Sequence, residues 1–135
     1  MNLQGVEDAV LMPNRPKAEG LRFILLFHAD NEMEEQKFKV IIVEDVKLEL
    51  KGTEEIFRHE IPNAEVIGTA MTENEFWPLM EAQLPDLVLL DLGLGGSTTI
   101  GVDICRNIFK RYKGVRVLIF TGEILNEKLW VDVLN

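Results

Sequence analysis

From Phe38 onward, short apolar runs alternate along the chain with stretches in which apolar residues recur at helical spacing. The runs are four to six residues long and consist mostly of apolar or β-branched residues, so they predict buried strands. The stretches between them predict amphipathic helices that each turn one apolar stripe toward a core. The expected order is βαβαβαβα, with strands at 38–43, 65–70, 87–90 and 115–120 and helices at 46–61, 72–84, 102–112 and 124–134. The predicted buried helix positions are Val46, Leu50, Phe57, Ile61, Phe76, Met80, Leu84, Val102, Cys105, Phe109 and Tyr112.

Strands that are apolar almost throughout are typical of a parallel sheet covered by helices on both faces. We therefore predict an α/β domain. Ligands of such sheets bind beyond the carboxyl ends of the strands, so functional residues are expected where the strands end.

The first 36 residues do not follow this pattern. Residues 1–20 contain two prolines and show no clear period, so we expect an irregular tail there. Leu21–Phe27 is a short apolar run and a candidate strand, and an acidic linker follows it. We therefore divide the chain into an N-terminal extension, 1–36, and a domain, 37–135.

Composition limits the class of protein. A chain of 135 residues that is 47% apolar and 27% charged fits one folded domain. The 23 acidic and 14 basic residues give a net charge of −9, which argues against direct binding of nucleic acid. A single cysteine, Cys105, allows no internal disulfide, and no apolar run approaches the roughly 20 residues of a membrane-spanning helix. We expect a cytoplasmic protein without a membrane partner.

Polar residues directly follow three of the four predicted strands: Glu44 and Asp45 the first, Asp91 the third and Thr121 the fourth. If the first and third strands are neighbours, three carboxylates converge, and such like charges persist together only with a bound cation or a shared proton. Oxygen ligands of this type suit Mg²⁺. The central carboxylate could act as a nucleophile toward phosphoryl groups, with the Thr121 hydroxyl beside it. The alternative, for each residue taken singly, is an ordinary turn.

These segments resemble the receiver domain of two-component response regulators. The resemblance runs from about Lys37 to Asn135 and rests on Lys-Val-Ile-Ile-Val-Glu-Asp (39–45), Pro-Asp-Leu-Val-Leu-Leu-Asp-Leu (85–92) and Val-Leu-Ile-Phe-Thr-Gly (117–122). It implies a flavodoxin-like, doubly wound parallel sheet with strand order 2-1-3-4, counted from Phe38. With Ile-Pro-Asn-Ala-Glu-Val-Ile-Gly-Thr-Ala (61–70) before the second helix, the sequence is similar to receivers that precede helix-turn-helix output domains.

The resemblance also implies a role for each matched residue. Asp91 would be the phosphoacceptor, and Thr121 the switch hydroxyl. Asp45 would hold Mg²⁺ directly, Glu44 through water, and Gly93 through its backbone carbonyl. A sensor histidine kinase would be the donor. The implied protein is a regulatory phosphoacceptor with self-phosphorylation and self-dephosphorylation chemistry, not an enzyme with turnover.

The chain departs from the family pattern in two places. Gly95 stands where the family usually has a proline, within a glycine-rich stretch, 93–101, that lacks the ending of a P-loop and predicts a mobile loop. The fifth strand, with its lysine and aromatic switch residue, cannot be assigned. Three explanations for the unassigned fifth strand are open. The domain is truncated, Leu21–Phe27 replaces the edge strand, or a homodimer covers the incomplete edge, and we favour the last two. Lys17 and Arg22 are candidates for the missing cation, with ordinary surface charges as the alternative.

Met33 begins a segment that resembles an ordinary receiver start, so residues 1–32 are a candidate non-native extension.

Two other functions remain open at this point. A degenerate receiver would act as a phosphorylation-independent scaffold or dimerisation module, which the unassigned lysine favours. A metal-dependent phosphohydrolase using Asp91 is disfavoured, because Gly93 rather than an acid stands two residues after it.

Overall fold

A computed structural model of the chain describes residues 9–13 and 37–121. These described residues form five strands, three helices and one short 3₁₀ turn. The strands are β1 (Ala9–Pro13), β2 (Phe38–Val43), β3 (Ala64–Ala70), β4 (Leu87–Asp91) and β5 (Arg116–Thr121). The helices are α1 (Lys47–Glu60), α2 (Glu73–Ala82) and α3 (Thr98–Arg111), and the 3₁₀ turn is Leu94–Gly96.

The strands form one parallel sheet in the order β1-β5-β4-β2-β3. Counted from Phe38, the strands β2 to β5 therefore have the predicted order 2-1-3-4, and the α/β, flavodoxin-like fold is confirmed. The chain changes direction across the sheet once, after β3, and this places β4 beside β2, with Val43 paired to Leu90.

β1 was not predicted. It lies within residues 1–20, which the sequence led us to expect as an irregular tail, and that expectation is wrong for Ala9–Pro13. The local signal is a run of four apolar residues followed by Pro13, and an edge strand tolerates proline because one side of its backbone forms no ladder. Leu21–Phe27, Lys17 and Arg22 lie outside the described residues.

β1 occupies the sheet edge beside β5. The two strands pair in parallel, from Ala9 opposite Val117 to Pro13 opposite Thr121. The edge that we expected to be filled by Leu21–Phe27 or by a second copy is therefore filled by β1. Dimerisation itself stays a prediction, but the edge of β5 is not open to it.

Successive strand residues alternate between the two faces of the sheet. On the α1 face, the buried strand residues pack with Leu50 and Phe57 of α1; they are Phe38, Val40, Ile42, Leu87, Leu89 and Leu118. On the α2–α3 face, the buried strand residues pack with the other two helices; they are Ile41, Val43, Ala70, Val88, Leu90, Val117 and Ile119. The core therefore consists of two layers separated by the sheet.

The helical stripes were predicted correctly in the middle of the helices and less well at their ends. Val46 is 47% exposed and Leu84 is 53% exposed, because the first precedes α1 and the second follows α2. In α3, Val102 and Cys105 are buried as predicted. Phe109 and Tyr112 are only partly buried, whereas the fully buried Ile104 and Ile108 were not predicted.

Two local features fix where the helices begin. The Thr72 side chain accepts a hydrogen bond from Glu75 N at 3.3 Å, and Glu75 Oε2 accepts one from Met71 N at 2.8 Å. This reciprocal cap satisfies two free N–H groups at the start of α2. Ser97 caps α3 in the same position, accepting from Thr99 N at 3.3 Å. Because α3 begins at Thr98, the glycine-rich stretch is not one long loop, and its last part is helical.

Candidate metal centre

Three carboxylates meet at the carboxyl edge of the sheet. Glu44 and Asp45 follow β2 directly, and Asp91 is the last residue of the neighbouring strand β4. One carboxylate oxygen from each of the three residues lies within 4.8 Å of the others. The convergence expected from the sequence therefore occurs, and its cause is the pairing of β2 with β4.

Glu44 is the most buried residue of this cluster. Only 2% of its surface is exposed, whereas Asp45 and Asp91 are partly exposed. Its backbone N donates to the carbonyl of Ala70 at 3.0 Å, which continues the β2–β3 ladder by one residue. Its Oε1 accepts a hydrogen bond from Val46 N at 3.2 Å. These contacts fix the buried carboxylate in position behind the two more exposed ones.

Asp45 is held by the loop that follows β4. Its Oδ2 accepts a hydrogen bond from Gly95 N at 3.0 Å. Gly95 has φ +72°, in the left-handed region that favours glycine. Proline fixes φ near −65° and has no N–H, so it could neither adopt this conformation nor donate to Asp45. The departure from the family pattern at this position therefore has a structural reason.

Asp91 is held in a similar way. Its Oδ1 accepts a hydrogen bond from Gly93 N at 3.0 Å, and the Gly93 carbonyl accepts one from Gly96 N at 3.1 Å. The second bond closes the 3₁₀ turn. A carbonyl oxygen has two lone pairs, so this bond leaves one for a further partner. The assignment of the Gly93 carbonyl as a metal ligand stays a prediction.

The donor set fits a hard divalent cation. Two unit charges about 4 Å apart repel by roughly 4 kcal/mol at an effective dielectric constant of 20, and three carboxylates contribute three such pairs. The backbone N–H groups of Val46, Gly93 and Gly95 donate to these carboxylates and offset part of this repulsion. Carboxylate and carbonyl oxygens at an open, partly hydrated edge are the ligands that Mg²⁺ prefers. Glu44, Asp45 and Asp91 are therefore the residues that would hold Mg²⁺.

A family model for the response regulator receiver domain matches residues 40–133. The chain belongs to this family. The match spans β2 to β5 and includes all three carboxylates of the cluster.

Two curated relatives and one solved structure illustrate the similarity of this receiver domain to known proteins. The chain is 27% identical over 92 residues to the transcriptional regulatory protein DegU of Brevibacillus brevis, covering 68% of this chain and 38% of DegU. It is 28% identical over 96 residues to the DNA-binding transcriptional activator DevR/DosR of Mycobacterium tuberculosis, covering 71% of this chain and 43% of DevR/DosR. The chain therefore spans less than half the length of either relative.

The isolated receiver domain of RcsB from Salmonella enterica serovar Typhimurium, solved in the presence of the phosphomimetic BeF₃⁻, has the same fold. Its TM-score against this chain is 0.63 at 18% sequence identity, and the alignment covers 73% of this chain and 71% of that one. At this identity the likeness supports the fold alone.

Thr121 ends β5 at the same edge of the receiver domain. Phe120 is paired with Asp91, so the backbone of Thr121 lies one residue beyond the Asp91 level on the adjacent strand. This is the strand end at which the sequence placed it. The position of its hydroxyl lies outside what the structure describes, and its role as the switch residue stays a prediction.

Gly101 is a site residue that the sequence did not reveal. A Cβ at this position would lie 2.4 Å from the backbone oxygen and 2.8 Å from the Cα of Leu92, the residue after Asp91. The first turn of α3 therefore packs directly against the backbone that leaves the acidic cluster, and only glycine permits this approach. The signal in the sequence, one glycine among several, did not distinguish this position from its neighbours.

Cys105 is a core residue of α3, as predicted. It is fully buried, and burial raises the pKa of its thiol to about 12, against a smaller lowering effect of the Arg106 charge. A thiol with this pKa is a poor nucleophile at neutral pH. Within 9–13 and 37–121, no helix has the length and apolar character needed to cross a lipid bilayer.

Proposed function

We propose that this receiver domain is a phosphorylation-dependent switch in a two-component phosphorelay. Asp91 accepts a phosphoryl group from a sensor histidine kinase, with Mg²⁺ bound at Glu44, Asp45 and Asp91. The observation that supports this most is the meeting of the three carboxylates at the ends of adjacent strands. Membership of the receiver family and the regulatory descriptions of DegU and DevR/DosR agree with it.

The geometry around Asp91 suits a carboxylate nucleophile. The Gly93 N–H holds Oδ1, which orients the carboxylate and leaves Oδ2 for bond formation. Oδ2 attacks phosphorus, the bond from phosphorus to the donor breaks, and the donor leaves with its electron pair. Asp91 becomes an acyl phosphate. Water later attacks the same phosphorus, which releases inorganic phosphate and restores the carboxylate.

The other two carboxylates are already held in position for binding a cation. Glu44 is buried and fixed by the Val46 N–H, and Asp45 is fixed by the Gly95 N–H, so neither has to be reorganised when a cation binds. Bound Mg²⁺ would supply positive charge that offsets the charge of the incoming phosphoryl group. Because one phosphoryl group is taken up and then lost, the protein acts as a regulator and not as an enzyme with turnover.

The test is incubation with acetyl phosphate and Mg²⁺, followed by intact mass spectrometry. We expect a gain of one phosphoryl group that is absent in Asp91→Asn and when EDTA replaces Mg²⁺. Asp103→Asn is the matched control, because Asp103 is an exposed aspartate of α3 that pairs with Arg106 and should leave the gain unchanged.

Other outcomes would favour the other functions. A folded wild-type protein that gains no mass would contradict the switch and favour a phosphorylation-independent scaffold or dimerisation module. Continuous hydrolysis of a generic phosphate ester, lost in Asp91→Asn, would favour a phosphohydrolase. The histidine kinase as donor, the cytoplasmic location and the absence of direct nucleic-acid binding by this segment remain parts of the proposal.

A further inference from the structure

The connection from β4 to α3 lies between two fixed elements. On one side, β4 pairs with both β2 and β5, and the pairing with β5 extends to Asp91, opposite Phe120. On the other side, α3 is anchored in the core by buried residues along its length; they include Val102, Ile104, Cys105 and Ile108. Residues 92–97 belong to neither a β-ladder nor an α-helix, so they are the part of this region that yields first when it is disturbed.

This connection also carries the donors that hold two of the three carboxylates. Gly93 N donates to Asp91 Oδ1, and Gly95 N donates to Asp45 Oδ2, both at 3.0 Å. The second bond joins the connection to the residue that follows β2, 50 positions earlier in the chain. A shift of the connection therefore moves both N–H groups relative to the carboxylates that they orient.

The first turn of α3 packs against this connection at two points. A Cβ on Gly101 would lie 2.4 Å from the backbone oxygen of Leu92, which is itself fully buried. A Cβ on Gly95 would lie 3.2 Å from Cδ1 of Ile100, so these two residues are also close together. The position of α3 and the path of the connection therefore depend on each other.

We propose that the first turn of α3 positions the acidic cluster for cation binding, with Gly101 as the positioning residue. This rests on the proposed function, because it concerns Mg²⁺ at the same carboxylates. Gly101 acts through the Leu92 backbone and through the two N–H donors that follow it, Gly93 and Gly95. Because Gly101 has no side chain, the connection lies where these donors reach Asp91 and Asp45.

The size of the effect follows from the distance to Leu92. Ordinary contacts of a Cβ begin at 3.4 Å, so the 2.4 Å approach in a Gly101→Ala variant requires a displacement of about 1 Å. Binding sites need their groups held within about 0.5 Å, and loss of a group that orients a metal ligand typically costs about 10–100-fold in affinity. The donors here are moved and not removed. We therefore expect Gly101→Ala to raise the dissociation constant for Mg²⁺ by about tenfold.

Thermodynamic linkage requires a converse effect in the wild-type protein. If opening of the first turn of α3 weakens Mg²⁺ binding, saturating Mg²⁺ suppresses that opening by the same factor. The backbone amides of residues 102–105 report this opening, because their helical hydrogen bonds run to residues 98–101. We expect hydrogen exchange at these amides to slow at least threefold when Mg²⁺ replaces EDTA.

Both effects are measured on the full chain with Mg²⁺ alone and without a phosphodonor. Calorimetric titration gives the dissociation constant, and NMR gives the exchange rates. Helix α2 is the internal control for exchange, because its first turn is closed by its own cap of Thr72 and Glu75. The corresponding amides of α2 should slow less than those of α3; they are Trp77, Leu79 and Met80.

Gly114→Ala is the matched control for binding. It is the same substitution, at a glycine with φ +94° beyond the C-terminal end of α3. It should destabilise the protein but leave the dissociation constant for Mg²⁺ within about twofold of the wild-type value. A purely structural role of Gly101 would leave the affinity of the folded Gly101→Ala variant unchanged in the same way.

Two results would overturn the proposal and leave the cation site standing. The first is Mg²⁺ binding without slower exchange in residues 102–105 than in α2. The second is the same dissociation constant in Gly101→Ala and in the wild type. A wild-type protein that binds no Mg²⁺ would overturn the proposed function as well. If Gly101→Ala does not fold, the exchange measurement on the wild type decides alone.

Discussion

Replacing Gly101 with alanine should destabilise the receiver domain, although alanine is the better helix former. The added Cβ would lie 2.4 Å from the Leu92 oxygen, about 1 Å closer than the 3.4 Å at which ordinary contacts begin. The obstructing atoms belong to the backbone, so no side-chain rotation relieves the overlap. Helix α3 or the segment after Asp91 must move instead.

The magnitude follows from two opposing effects. Alanine is favoured over glycine in a helix interior by about 0.8–1.0 kcal/mol. Overpacking a well-packed site typically costs about 1–3 kcal/mol, and a backbone obstacle places this site in the upper part of that range. We expect a net loss of about 1–2 kcal/mol in the free energy of unfolding, measured by urea denaturation.

Gly52→Ala is the matched control. Gly52 also lies within a helix, but a Cβ there would meet nothing within 4 Å. We expect this variant to be more stable by about 0.5–1 kcal/mol, because only the helix preference changes. The two substitutions are chemically identical and should have opposite signs. A Gly101→Ala protein at least as stable as the wild type, alongside a stabilised Gly52→Ala, would refute the close packing of α3 against Leu92.

Three further predictions concern the site and the core. Asp45→Asn should weaken Mg²⁺ binding by about tenfold or more in calorimetric titration, since it removes one of three converging charges; an unchanged affinity would exclude Asp45 as a ligand. Gly95→Ala should lower the free energy of unfolding by roughly 1–2 kcal/mol and also weaken Mg²⁺ binding. Gly114 also has a positive φ, +94°, but lies far from the acidic cluster. Gly114→Ala should therefore lower the free energy of unfolding without weakening Mg²⁺ binding. Cys105 should resist alkylation at pH 8 until urea unfolds the protein, because burial raises its pKa to about 12; rapid modification of the native state would contradict its burial. Since the pKa in the folded protein lies above the usual thiol value of 9.0, this thiol favours the folded state below about pH 9, and that contribution declines as pH rises toward 12.

The strand ends carried most of the information in the sequence. Glu44, Asp45 and Asp91 each follow an apolar run, and the parallel topology alone is enough to place them at one edge. The pattern of apolar and polar residues could not predict the distances between residues of different elements. Whether Gly101 touches Leu92, or Gly95 reaches Asp45, depends on the path of the chain between elements, and neither contact leaves a periodic signal in the sequence.

β1 was missed for a related reason. Five residues give too short a window for a period, and their strand state depends on a partner far along the chain. The ends of the helices were also misjudged, at Val46 and Leu84. Apolar spacing continues beyond either end of a helix, before Lys47 and after Ala82, whereas the residues at which a helix begins and ends are set by local hydrogen bonding.

The pairing of Ala9 with Val117 also sets an order of events during translation. The two residues are 108 positions apart, which at typical elongation rates is roughly 5–20 s of synthesis. The earliest of the described strands to leave the ribosome therefore has no docking partner until the latest one has been made. Nascent chains halted before residue 117 should expose that apolar N-terminal stretch to chaperones and proteases, and chains released with β5 complete should not.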